Sequence, residues 1–430
     1  MGAVDLPLFN FETKLLVNWQ LARYLTGTGL ATFADRLAQV QLLSTVVMSG
    51  PDGEGLGSNT LALLLPFVLF SYAFGAQADR HDNRKLLISI TVVRALLVLI
   101  IPTMLMSLGA TGPIIPLSVF ALCTCSAFCS VLNFGIIPSL AIDPKHLRPA
   151  NAAALLTTTT ATLAAVSTTP FLSEIWLPHE TLRFAAIVYF VAMFFYWTLD
   201  RSKTQKIQIV SNDTMEVATF FKIHRNAISI FRLGFFLHFG HGVMFWLFLV
   251  FCLQNTQLNN AQSFNLFAAI AVGFVIGSVL SLTFTKHFRG SSLIGYSTLI
   301  AAASCTIFVL LGTNLWMRYF LIIIGTTGAT TLIAIDAIMQ KFFNGKLRAK
   351  VFGAILCLST GGFAIATVCT EQLTTHYSAL TILRGIAAGW LIYTLLVVLT
   401  SKKLRNKLLK PNHSKRSRTS AESTTAAIKK

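Results

Sequence analysis

Long apolar runs, each closed by charged or turn-forming residues, recur twelve times along the 430 residues of the chain. They cover roughly 21–49, 57–78, 86–108, 114–140, 149–172, 182–200, 228–253, 262–285, 291–312, 316–340, 347–370 and 378–400. A helix needs ~20 apolar residues to cross the hydrocarbon core of a bilayer, so each run predicts one membrane-spanning helix. The connections alternate in charge. Those at 79–85, 143–148, 201–226, 286–289 and 341–350, and everything from 401, are rich in Lys and Arg, whereas 50–56, 109–113, 254–261 and 371–377 contain neither. Basic loops stay in the cytoplasm. Both termini are therefore expected there, which requires an even number of spans. Only Arg183 and Arg318 fall on the poor side, while Arg36, Arg94, Arg232 and Arg384 sit within spans.

The longest polar interruption before the tail, 201–227, divides the spans into two sets of six. The predicted fold class is an all-α membrane protein: twelve transmembrane helices in two pseudo-symmetric six-helix bundles, residues 1–200 and 228–400. A cytoplasmic central loop at 201–227 joins them, and a basic, Ser/Thr-rich tail at 401–430 is expected to be disordered. Met215–Lys222 in the central loop has the pattern of an amphipathic helix lying on the inner surface. The halves repeat: Leu147-Arg148 through Ala154 and Leu156 returns 200 residues later as Leu347-Arg348 through Ala354 and Leu356. Gly75 has a weaker echo in Gly277. Duplicated halves are a way of building a binding site at the bilayer midplane.

Composition sharpens this picture. The chain is 54% hydrophobic and 12% charged, about half the charge of an average soluble domain. Its net charge of +18 is explained by cytoplasmic loops rather than by nucleic acid, and no nucleic-acid partner is expected. The seven cysteines (123, 125, 129, 252, 305, 357 and 369) all lie in apolar runs with no metal-ligand spacing. They read as small membrane-helix residues, with no metal or cofactor implied. The N-terminus lacks the basic region and cleavage site of a secretory signal. It has Leu6 where a myristoylation motif wants Ser or Thr.

Charges inside spans are costly, and by default they are functional. Asp35 and Arg36 fall mid-way along the first span. Neighbouring helical residues point about 100° apart, so the two do not pair with each other. Asp35 is expected to face the cavity, with a structural ion pair to Arg94 on the third span as the alternative. In the tenth span Asp336 and Gln340, one turn apart, are candidates for a polar headgroup or a cation, or for a helix–helix contact. His238 and His241 in the seventh span, followed by Trp246, are placed to relay protons or to bond between helices.

Between the second and third spans lies Gly75-Ala-Gln-Ala-Asp79-Arg80-His-Asp-Asn-Arg84-Lys85. An acid and three fixed cations here form a gating device: Asp79 can cap the start of a facing helix in the second half, and Arg80, Arg84 and Lys85 hold the cytoplasmic side. This Gly-x-x-x-Asp-Arg spacing resembles the signature of the major facilitator superfamily of transporters. The fifth span carries Thr157–Thr160 where antiporters of that superfamily have a Gly-Pro-rich stretch, and the fourth lacks the Arg-x-x-x-Gly pattern of many proton-coupled members.

Short segments throughout the spans resemble the lysophospholipid transporter branch. They are Phe33-Ala-Asp35-Arg36, Ser130 through Asn133 to Leu140, Ala150-Asn151, Phe239 through Val243, and Asp336 through Gln340. The resemblance implies a secondary transporter of the bacterial inner membrane with no enzymatic activity, expected as a monomer. It also implies a lysophospholipid-like amphiphile as cargo, membrane lipids as surroundings, and a functional link to a separate acyltransferase. Asn133 stands where the branch has Lys, Trp246 where its pattern has Arg, and Asp336 where it has Asn. These departures lower the positive charge of the cavity, so a proton-coupled efflux carrier for lipophilic or cationic compounds is the alternative. The implied cavity set is Asp35, Arg36, Asn133, His241, Trp246, Asp336 and Gln340. The implied gate is Gly75, Asp79, Arg80, Arg84 and Lys85.

Overall fold

The computed structural model describes residues 18–49, 56–108, 114–141, 146–200, 260–283, 290–311, 314–342 and 348–378, with shorter pieces up to 392. Backbone groups in lipid must bond within their own segment, and these residues are almost wholly helical. In chain order the long helices are α1 (Trp19–Ser49), α2 (Leu56–Arg80), α3 (Asn83–Leu108), α4 (Ile114–Leu140), α5 (Leu147–Ile175) and α6 (Pro178–Trp197) in the first half. In the second half they are α7 (Asn260–Thr283), α8 (Gly290–Leu311), α9 (Asn314–Phe342) and α10 (Arg348–His376). Each matches a predicted span within a few residues. The seventh span, the central loop, the tail and most of the twelfth span lie outside the described residues, as do His238, His241 and Trp246.

Six of these helices are long and apolar enough to cross a membrane, among them α3, α4 and α6. Exposed large side chains show which faces meet lipid: Leu96, Ile100 and Met106 on α3, and Ile187, Phe190 and Phe194 on α6. By contrast α1, which carries Asp35 and Arg36, and the Thr-rich α5 are not among the six. Pro66, Pro102 and Pro138 sit inside α2, α3 and α4, as membrane helices tolerate.

Packing follows the two-half plan. In the first half α1 lies against α5 and α6, α2 against α4, and α3 against α6. In the second, α9 packs on both α7 and α8. One apolar core fills the first half around Leu37, Leu42, Val98, Leu122, Leu182 and Tyr189. A second core, around Tyr24, Leu132, Ile136, Ala150 and Tyr196, takes in Ala349, with Phe352 and Leu356 packed on it. Apolar burial therefore continues across the boundary between halves, where α2 meets α10 and α5 meets α7 and α9.

The expected loop at 79–85 is shorter than the charge pattern suggested. Because α2 runs on to Arg80 and α3 starts at Asn83, only His81 and Asp82 lie between them. Asp82 explains the early start of α3: its Oδ1 accepts the Arg84 N–H at 3.0 Å, and its carbonyl accepts the Leu86 N–H at 3.0 Å. Hydropathy ends a span at its first charge, but a backbone helix ends at its cap.

At the α2–α10 seam two glycines bring backbones into contact. A Cβ on Gly75 would stand 2.4 Å from the Ala349 carbonyl oxygen, and one on Gly353 would stand 2.1 Å from that of Ser71. The echo at Gly277 does a different job. Its Cβ would meet the Thr326 carbonyl oxygen at 2.4 Å, so it fits α7 against α9 inside its own half.

Candidate functional site

A cavity of about 570 Å³ lies between the halves, within the range of small-molecule sites. The first half supplies a polar wall: Thr28, Thr32 and Arg36 from α1, Ser126, Ser130 and Asn133 from α4, and Thr158, Thr159 and Thr162 from α5. Among the described residues the second half supplies Ile270, Ala271 and Phe274 of α7, Phe352 of α10 and one charged group, Asp336 of α9. Most of the polar lining among these residues comes from the first half.

Much of the polar wall has already spent its protons. Ser130 donates to the Ser126 carbonyl at 3.0 Å, Thr158 to Ala154 at 3.0 Å, and Thr162 to Thr158 at 2.8 Å. A helical hydroxyl bonded back in this way offers its remaining lone pairs to the cavity. Asn133 accepts from the Tyr24 hydroxyl at 2.7 Å, which leaves its amide N–H groups as donors.

Asp35 and Arg36 both border the cavity, but Asp35 is 7% exposed and fully engaged. Its Oδ2 lies 3.1 Å from Arg94 Nη1 and accepts from Ser126 Oγ at 3.3 Å, while Oδ1 accepts from the Tyr189 hydroxyl. Arg94 stacks over the Tyr189 ring at 6.0 Å, and among the described residues its buried Nε finds no hydrogen-bond partner. The alternative ion pair is thus the geometry found. Arg36 is exposed to the cavity, and its Nη1 donates to Gln39 Oε1 at 2.7 Å. Asp35 is engaged in this way because α3 and α6 present Arg94 and Tyr189 at its height.

On α9 the two candidates also separate. Asp336 borders the cavity, and among the described residues no hydrogen-bond or ion-pair partner is seen for it. Gln340 is fully buried and spans the halves. Asn151 Nδ2 donates to Gln340 Oε1 at 2.6 Å, and Gln340 Nε2 donates to Asn151 Oδ1 at 3.1 Å. Asn151, which borders the cavity, entered the sequence reading only through the Ala150-Asn151 resemblance and its place in the 200-residue repeat, and was given no site role there. Tyr24 and Tyr189 gave no signal, since an aromatic in an apolar run looks like core.

The gate residues divide by half. Asp79 reaches across the seam to the start of α10, its Oδ1 accepting the Ala349 N–H at 3.2 Å and its Oδ2 the Lys350 N–H at 2.8 Å. A carboxylate on a helix N-terminus satisfies free N–H groups and meets the positive end of the helix dipole. Arg84 instead stays within its own half, with Nε donating to the Tyr196 carbonyl at 3.4 Å and Nη2 to that of Trp197. Arg80 and Lys85 are exposed. Further cross-half contacts lie along α10: near its start Phe134 stacks on Phe352 with centroids 3.9 Å apart, and about two and a half turns from that start Cys357 Sγ donates to the Val68 carbonyl at 2.9 Å.

Comparison with known proteins agrees with this architecture. A family model described as Major Facilitator Superfamily matches residues 22–367. A bacterial homologue of the iron transporter ferroportin in an outward-facing state superposes with a TM-score of 0.69 at 13% identity, covering 89% of this chain and 99% of that one. The human organic anion transporter TETRAN gives 0.66 at 12% identity, with 88% and 99% covered. The E. coli fucose:proton symporter FucP gives 0.65 at 13% identity, with 87% and 98% covered. At such identities the likeness is one of fold. A search of curated proteins found no match.

Proposed function

We propose, for a chain that belongs to the Major Facilitator Superfamily, a specific cargo. The protein is an integral multi-pass membrane transporter and not an enzyme. Its proposed cargo is a lysophospholipid-like amphiphile with a zwitterionic headgroup, moved by alternating access across the bacterial inner membrane, with the basic loops and both termini in the cytoplasm. A separate acyltransferase would then re-esterify the delivered lipid.

One observation carries this reading. Arg36 and Asp336, of opposite charge, border the same cavity from opposite halves, while Asp35 and Arg94 neutralise each other. A lone fixed cation favours an anion and a lone carboxylate favours a cation; together they fit a phosphate and an ammonium on one molecule. Oxygen lone pairs of the α1, α4 and α5 hydroxyls suit headgroup donors, and the apolar wall from α7 suits an acyl chain. The resemblance in sequence points the same way. Asp336 on its own favours the alternative, an efflux carrier for lipophilic cations.

The two readings part in proteoliposomes. Uptake of labelled lysophosphatidylethanolamine should fall at least tenfold in R36Q and in D336N. Lysophosphatidic acid, which lacks the ammonium, should depend on Arg36 alone. If a lipophilic cation is moved against a pH gradient and neither lysolipid is, the efflux reading replaces the first.

A further inference from the structure

We propose that the reciprocal amide pair Asn151–Gln340 is a latch that holds the two halves together at one end and so sets which side of the membrane the cavity faces. This latch is independent of the cargo. Its two hydrogen bonds, 2.6 Å and 3.1 Å long, tie the start of α5 to the end of α9. Both residues are dry, at 5% and 0% exposure. Asn151 Nδ2 also donates to the Leu147 carbonyl at 2.8 Å, which fixes the rotamer that reaches Gln340.

A buried primary amide without a partner is penalised by its full desolvation. Neither residue is stable alone in this seam, so the pair is either whole or parted and wetted, as a two-state contact requires. Its location matters as much as its chemistry. Among the cross-half hydrogen bonds described above, those of Asp79 and Cys357 involve no cavity-lining residue, whereas Asn151 borders the cavity. Gln340 lies one turn beyond Asp336 on the same helix. The latch therefore stands at the cavity floor. The related contact between α4 and α10 is the Phe134–Phe352 stack; water can replace an amide partner but has nothing to offer a pair of phenyl rings.

The test uses the full-length protein in vesicles of both orientations, with T158C as a cavity reporter because Thr158 lines the cavity. A membrane-impermeant maleimide is applied from each side without cargo, and labelling at position 158 is read by peptide mass spectrometry. Wild-type background should be labelled mainly from one side. N151A and Q340A each leave one buried amide without its partner and should raise labelling from the other side about tenfold. Their double variant should raise it no further than either single change, the apolar pair N151L/Q340L, which leaves no orphan, should lie closer to wild type than either, and the exchange N151Q/Q340N should return it toward wild type. Unchanged sidedness in N151A and Q340A overturns the latch, as do single changes whose effects add. Because no cargo is present, either result leaves the lysolipid reading to its own test.

Discussion

Asp35 is gripped by Arg94, Tyr189 and Ser126 on three other helices, while Arg36 beside it bonds within its own helix to Gln39. A buried ion pair is most expensive to break when one partner stays behind: about 3–5 kcal/mol for an uncompensated buried charge. D35N should therefore lower the thermal unfolding midpoint in detergent markedly, and D35N/R94M should recover much of the loss. Equal midpoints for the two variants would count against the pair as a structural unit. The sequence showed that adjacent charges on one helix must part company, since their directions follow from helix geometry. It did not show which of the two is tied up by neighbouring helices. That choice depends on the height at which α3 and α6 present Arg94 and Tyr189, which hydropathy does not encode. Gln340 was legible as a polar face partner of Asp336, but its true partner, Asn151, stands 189 positions earlier.

Among the helices, ten predicted spans appear within a few residues of their expected bounds, because lipid makes the apolar length of a helix easy to read. The ends were less legible. Caps such as Asp82 are local backbone matters, and they drew the charged residues of the expected loop into α2 and α3. The seam between α2 and α10 gives two predictions at this scale. D79A removes the acceptor for two α10 N–H groups and should weaken the seam by about 1–2 kcal/mol. D79N, keeping one oxygen but not the charge, should lose only about 0.3–1 kcal/mol. Maleimide sidedness of T158C reads both, with D79A shifted the further. G353L should be harsher, since its Cβ would meet the Ser71 carbonyl, a backbone atom with nowhere to go. Loss of lysolipid uptake in a protein that still purifies as a folded monomer is the expected result; retained uptake would mean that α2 and α10 need not approach so closely.

At the scale of the whole molecule, the alternation of basic and charge-free loops predicts the orientation, and K85C checks it. An impermeant thiol reagent should modify K85C from the cytoplasmic face alone, Lys85 being exposed on the basic side. Two-fold repetition was visible as a few identities between the starts of α5 and α10. What the repeat hid is that its two copies use unlike chemistry at the seam, an amide pair at one and a ring stack at the other. The first half is also fastened within itself, by Asp35 to Arg94 and Tyr189, by Arg84 and Arg23 to the carbonyls closing α6, and by Asn18 to the Leu140 carbonyl. A body stitched in this way turns as one lever. Pivoting about the middle of a hydrocarbon slab ~30 Å thick, its arm is about 15 Å, and a rigid-body turn of about 15° sweeps the tip through ~4 Å. That arc exceeds the reach of any hydrogen bond, so one modest rotation parts the cap, the amides and the rings together.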